Sequence, residues 1–295
     1  MAVKEEIQRL CNTLGLEQYD LIPHIQESEK WIDELKTFCN RYDFNPRYLA
    51  ESINDPKVIP MIRGKAFEFS AKEALQKVLN VEQYTVTNPR MNAQTGNHDI
   101  DVKIADTLNN VNFSIECKLS GKGSFKTNGT TASSKVKCMR SRTLGPSEIA
   151  RRAGNNKVLA DTLAIHNDQY QAEDFDLVVT SLGNSLYVTD PSDGTFYYSP
   201  TALQQEYLTR SGVKDQHDCF NKMYVALAQD LVVNEENGLK HECSRKKCKQ
   251  QGTNTNCQFI PNYPKIEFGN TLEDVKAPWV PIERVEELLE RIRNQ

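Results

Sequence analysis

The stretch from Asn97 to Ser120, NHDIDVKIADTLNNVNFSIECKLS, constrains the fold of this chain more than any other. In its first half Ile100, Val102 and Ile104 alternate with Asp99, Asp101 and Lys103. In its second half Phe113, Ile115, Cys117 and Leu119 alternate with Ser114, Glu116 and Lys118. Successive side chains of a strand point to opposite faces, so the pattern predicts two half-buried strands joined by a polar connection. If their apolar faces share one core, Asp101, Glu116 and Lys118 emerge together on the other face, with Asp99 on that face by parity.

Two carboxylates so placed can hold a hard divalent cation such as Mg²⁺, which takes oxygen ligands and keeps several waters. Such a cation lowers the pKa of a bound water and neutralises charge on a phosphate, so the grouping suits hydrolysis of a phosphodiester. Lys118 then has three open roles: orienting the attacking water, helping to deprotonate it, or stabilising the developing negative charge. A Glu-x-Lys pair is also what a charge-paired, solvated sheet face presents.

Upstream, residues 64–80 (GKAFEFSAKEALQKVLN) form the clearest helix, with an apolar stripe of Phe67, Ala71, Ala74, Leu75 and Val78. Glu68 borders that stripe, in register with Leu75 and Leu79. A carboxylate there needs a partner, either a metal site or a lysine such as Lys72 at i+4.

A helix with Glu68, a strand with Asp101, a connection, then a strand with Glu116-Cys117-Lys118 resembles the PD-(D/E)XK nuclease superfamily, and most of all its type II restriction endonucleases. The resemblance covers roughly residues 60–200. No proline precedes either aspartate: His98 precedes Asp99 and Ile100 precedes Asp101. Either aspartate fits the metal-ligand position, with Asp101 favoured by its apolar neighbours Ile100 and Val102. The resemblance implies an α/β fold with a restriction-endonuclease-like core, a mixed central β-sheet flanked by helices. It implies Mg²⁺ held by Asp101 and Glu116, with Asp99 as substitute or helper, Lys118 at the attacking water and Glu68 in support. The expected activity is sequence-specific cleavage of double-stranded DNA by a homodimer, with a cognate DNA methyltransferase in the same system. No Gly-x-x-x-x-Gly-Lys-Ser/Thr loop accompanies the motif. The competing readings are a structure-specific or repair nuclease of the same fold and a non-catalytic DNA-binding protein.

From Lys118 to Lys157 the composition turns basic, with ten lysines and arginines against one acid, Glu148, or a local charge of +9 in a chain whose formal total is −4. Residues 118–157 are therefore expected to form a DNA-binding loop, its first part (GKGSFKTNGTTASSKVK) flexible. Lys122, Lys126, Lys135, Lys137, Arg140, Arg142, Arg151 and Arg152 are the candidate contacts. Phosphates are the safer assignment for any one of them, since most protein–DNA hydrogen bonds go to the backbone. Lys137, Arg140 and Arg142 could also read guanine edges.

Residues 1–60 read as a helical N-terminal region serving packing, dimerisation or an arm over DNA. Ile7, Leu10, Cys11 and Leu14 keep helical spacing, and a second helix starts near Ser28 with Trp31, Leu35 and Phe38 on one face. Residues 61–200 form the core. Beyond the basic segment the pattern predicts a helix capped by Ser147, a buried strand over residues 175–182, and a hairpin across Pro191-Ser192-Asp193-Gly194. His166 sits in a helical stretch, where a satisfied or exposed histidine is the expectation. Residues 201–295 form a C-terminal region closed by Trp279 and a helix through Val285, Leu288, Leu289 and Ile292.

That last region carries a Cys-rich insertion over residues 217–257. His241, Cys243, Cys248 and Cys257 stand close in sequence, with His217 and Cys219 upstream. Three thiolates and one imidazole, or four thiolates, give Zn²⁺ a closed tetrahedral shell, so His241, Cys243, Cys248, Cys257 and Cys219 are candidate ligands of a structural zinc. The cysteines also suit small buried positions. The start, MAVKEEIQRL, is charged and amphipathic, unlike a signal peptide. No apolar run approaches the length of a membrane span, and a cytoplasmic location is expected.

Overall fold

The computed structural model describes residues 18–89 and 100–295, with side chains described from residue 30 onward except at residue 50. Asp99 and the apolar set Ile7, Leu10, Cys11 and Leu14 lie outside the described residues. The chain divides into two units, residues 1–60 and 61–295. In the first, helix α1 (Gln18–Arg41) runs through the position expected to begin a helix at Ser28. Helix α2 (Pro46–Asn54) follows, with Asn45 accepting from the Arg47 amide and Pro46 opening the first turn. Trp31 and Phe38 are exposed, whereas Cys39 is buried.

The second unit begins within helix α3 (Ile59–Val78), whose Phe67, Ala71 and Leu75 recur every four residues and are fully buried. Three antiparallel strands come next, β1 (Tyr84–Thr87), β2 (Val102–Asp106) and β3 (Val111–Leu119). Asn110, at φ +54°, closes the turn between β2 and β3 in the left-handed region that asparagine tolerates. Asp106 fixes the same turn, accepting from the Leu108 and Asn109 amides.

The chain returns to the sheet at β6 (Leu177–Ser181), which pairs parallel to β3. A parallel pair needs a long crossover. Residues 120–176 supply it, carrying the short strands β4 (Lys126–Thr127) and β5 (Ala132–Lys135) and the helices α4 (Pro146–Ala153) and α5 (Lys157–Ile165). Gly145, not Ser147, caps α4, with Pro146 in its first turn, and Gly154 at φ +53° ends it before α5. The hairpin β7 (Tyr187–Thr189) and β8 (Phe196–Tyr198) follows, then α6 (Ala202–Arg210) and α7 (Gln216–Asn221). Strand β9 (Met223–Leu227), helices α8 (Ala228–Leu231) and α9 (Lys246–Gln250), strands β10 (Lys265–Phe268) and β11 (Val280–Pro281), and helix α10 (Val285–Arg293) complete the order.

Among the described residues the central sheet has six strands in the order β1-β2-β3-β6-β9-β11, so β9 and β11, both beyond residue 200, belong to it. Among the described residues only the β3–β6 pair of this sheet is parallel, and the protein is mixed α/β with a mixed central sheet flanked by helices. One face packs Val102, Ile104, Phe113, Ile115 and Cys117 against α3 and α10. The other packs Val178, Tyr224 and Ala226 against α6 and a second sheet, β10-β5-β4. Each fully buried Leu, Ile or Phe contributes about 1.5–3 kcal/mol to these layers. No helix among the described residues is long and apolar enough to cross a membrane.

Candidate functional site

The register of β2 on β3 places Val102 opposite Ile115. One residue further, Asp101 stands opposite Glu116. Because Val102, Ile104, Phe113, Ile115 and Cys117 fill one core, Asp101, Glu116 and Lys118 share the other face. The Cys117 amide donates to Asp101 Oδ2 at 2.8 Å. Lys118 Nζ lies 2.6 Å from Glu116 Oε1. Tyr170, just before β6, donates its hydroxyl to that same oxygen at 2.7 Å, and the Lys118 ammonium sits 5.5 Å from its ring centre. Nothing in the strand pattern points to Tyr170.

Glu68, on α3, stands near enough to raise the pKa of Asp101, and it pairs with Lys65. Asn88 joins helix and strand, its Nδ2 donating to the Asp101 carbonyl at 2.8 Å and reaching that of Glu68 at 3.5 Å. The structure therefore brings Asp101, Glu116, Lys118 and Glu68 together.

Burial and the nearby Glu116 charge push the Asp101 carboxyl up to about 8, with Glu68 adding to the shift. Lys118 moves the other way from what burial alone would do. Desolvation opposes its charge, but Glu116, Tyr170 and Asp101 outweigh that and hold it protonated above the ordinary lysine value. The site is thus a crowd of carboxylates with one fixed ammonium. Asn88 Oδ1, and Thr180 Oγ1 beside Lys118 in the β3–β6 register, are buried oxygens with no hydrogen-bond partner among the described residues.

The basic segment divides. Lys122, Lys126, Lys135, Lys137 and Arg142 are exposed. Arg140 is buried: it pairs with Asp174, donates to the Gln169 carbonyl at 2.8 Å and stacks 4.6 Å from the Tyr170 ring centre. Arg152 is held by Asp174 at 2.9 Å and Glu148 at 2.8 Å, and Arg151 lies exposed against Glu148 at 2.6 Å. Arg140 and Arg152 are therefore corrected from DNA contacts to structural cations, because buried Asp174 requires charge partners. Nor is the segment expected to be flexible a loose loop. Ala132, Ser134, Val136 and Cys138 are buried in alternation with less buried residues, and β5 pairs with β10.

The cysteine-rich region yields a second cluster. His166, Cys243, Cys248 and Cys257 are all buried, and their ligand atoms lie within 4.8 Å of one another, a group that could hold a metal such as zinc. Two candidates drop out of the expected set. His241 is exposed, and Cys219 is buried in a different core cluster beside Tyr198. His166 takes the fourth place although it precedes Cys243 by 77 residues; helix α5 delivers it, and only the packing of α5 against the cysteine region (Leu163 with Cys243, Cys248 and Cys257) reveals it. No protein-family model matches this chain, and neither a curated protein nor a solved structure is matched by it.

Proposed function

We propose that the chain is a Mg²⁺-dependent endonuclease of double-stranded DNA with a restriction-endonuclease-like core, a type II restriction enzyme acting as a homodimer beside a cognate methyltransferase. The observation that carries the reading is Asp101 opposite Glu116, with Lys118 two residues on along the same face. The order of a helix, three antiparallel strands, crossover helices and a strand parallel to β3 accords with it.

The donors fit a hard cation. Asp101 and Glu116 offer only oxygen, and the burial and Glu116 charge that raise the Asp101 pKa oppose an ionisation that a divalent charge would favour. Bound there, Mg²⁺ would acidify a water and neutralise charge on the scissile phosphate. The Cys117 amide orients Asp101, and Tyr170 orients Glu116. Lys118, held as an ammonium, donates hydrogen bonds to the attacking water or the developing phosphate charge rather than taking a proton. Lys122, Lys126, Lys135, Lys137 and Arg142 supply exposed positive charge for phosphates.

A second reading has one observation in its favour: Glu116 Oε1 already has both Lys118 and Tyr170 as partners. In that case the carboxylates are scaffold and the protein binds DNA without cutting it. Incubation of the purified protein with a long duplex DNA, in Mg²⁺ and in EDTA, separates the readings. Discrete Mg²⁺-dependent fragments support the restriction enzyme, a smear points to a non-specific or repair nuclease, and binding without cleavage supports the scaffold.

A further inference from the structure

The thiol–imidazole cluster lies apart from the carboxylate site and has its own architecture. Cys243, Cys248 and Cys257 share a small core with Leu163, Val233 and Phe259. Tetrahedral zinc bonds of about 2.3 Å to sulfur set ligand atoms roughly 3.8 Å apart. The donor atoms here, all within 4.8 Å of one another, are within a small adjustment of that shell.

The protonation of His166 can be read from its neighbours. Gln169 Nε2 donates to the Ile260 carbonyl at 2.9 Å, and a carbonyl can only accept, so the amide of Gln169 is oriented without ambiguity. Its Oε1 therefore faces His166 Nδ1, at 2.7 Å. Arg245 Nε, also an obligate donor, points at the same Oε1. His166 Nδ1 must then carry the hydrogen, which leaves the Nε2 lone pair as the imidazole's metal-binding donor. A metal-ligating histidine characteristically gives its other N–H to an oxygen that fixes tautomer and ring orientation. The ring is further fixed by stacking on Phe259, with centroids 4.2 Å apart and planes 10° off parallel.

The Arg245 and Phe259 amides hydrogen-bond the Cys243 and Cys257 sulfurs, which partly offsets the burial that favours the neutral thiols. Three thiolates on a dication leave a net charge of −1, and Arg245 stands in the same loop, tied to Asp168 and to the Ile165 carbonyl at 3.1 Å. Soft thiolates with one imidazole in a closed set select Zn²⁺ over oxygen-seeking cations.

We propose that His166, Cys243, Cys248 and Cys257 form a closed structural zinc site, with Gln169 holding the His166 tautomer, that ties the 243–257 segment to the end of α5. The site does not depend on the nuclease reading. It also bounds the segment 166–170, whose last residue, Tyr170, holds Glu116.

The test is metal content of the full-length protein after loading with Zn²⁺ and removal of excess. One zinc per chain, released on modification of thiols, is expected. His166→Ala and Cys248→Ser should lose it, while His241→Ala and Cys219→Ala retain it. Gln169→Leu should weaken zinc about 10- to 100-fold, and Gln169→Glu, which keeps the acceptor oxygen, should recover most of that loss. Co²⁺-loaded wild-type protein should show tetrahedral ligand-field bands with thiolate charge-transfer absorption. Because His241→Ala and the wild type test the assignment without touching a buried ligand, misfolding of the ligand variants does not shelter it. Substoichiometric zinc in the wild type, a disulfide among the three cysteines, an octahedral Co²⁺ spectrum, or loss of zinc from His241→Ala would each overturn the site.

Discussion

The phenol of Tyr170 donates to Glu116 Oε1 at 2.7 Å, so a residue outside the strand motif fixes the carboxylate that the motif supplies. The bond has a charged acceptor in a buried setting, a class worth about 1.5–3 kcal/mol. Tyr170→Phe removes only the donor and keeps the ring beside which Arg140 and Lys118 lie. Denaturant unfolding should show a stability loss of that order, and the cleavage rate should fall. An unchanged midpoint would show that this hydrogen bond contributes nothing.

Asp101 makes the metal-free protein sensitive to pH. Burial, then Glu116, lifts its folded pKa to about 8 from the ordinary aspartate value of 3.8. The folded state therefore keeps a proton that the unfolded chain has released. The resulting stability is fully present below about pH 4 and is lost as pH rises to about 8, a change on the order of a few kcal/mol. Urea unfolding in EDTA at acidic and mildly alkaline pH should show this decline in wild type and a flatter profile in Asp101→Asn. Mg²⁺ should flatten the wild-type profile too. Identical slopes in both proteins would contradict the assignment.

Arg140 and the exposed lysines should behave as opposites. Arg140→Ala strips a charge partner from buried Asp174 and should cost about 3–5 kcal/mol of stability. Lys126→Ala and Lys137→Ala should leave stability within about 0.5 kcal/mol. Each should instead weaken DNA binding and reduce the salt dependence by about 0.9 in log–log slope per lost phosphate contact. Thermal unfolding and binding titrations at several salt concentrations check both halves. A destabilised Lys126→Ala beside an unaffected Arg140→Ala would reverse the account.

The parts of the fold legible in the sequence are those where large apolar residues carry the period. Val102 and Ile104, then Phe113, Ile115 and Cys117, alternate strongly enough to show both the strands and the face that Asp101 and Glu116 share. The stripe on α3 is equally plain. Residues 132–138 alternate too, but through Ala132 and Ser134, whose small side chains give little hydrophobic contrast. Arg140 counts as one more positive charge in the sequence, because the Asp174 that neutralises it lies 34 residues on. The three cysteines of the second cluster are visible in the sequence. The imidazole beside them is not, since sequence proximity favours His241 while tertiary packing supplies His166. Tyr170 and Gln169 belong to the same class: their roles arise only where the segment before β6 meets β3 and the 243–260 region.

The most direct test of the carboxylate–lysine site is Mg²⁺-dependent cleavage of duplex DNA by wild type beside Glu116→Ala and Lys118→Ala. Each variant's folding is first checked by circular dichroism and its DNA binding by titration. A catalytic role for the site predicts that both variants fold and bind DNA, and that both lack the discrete fragments expected from wild type. Cleavage by either folded variant at the wild-type rate, or a wild type that binds duplex DNA and leaves it intact in Mg²⁺, would contradict it.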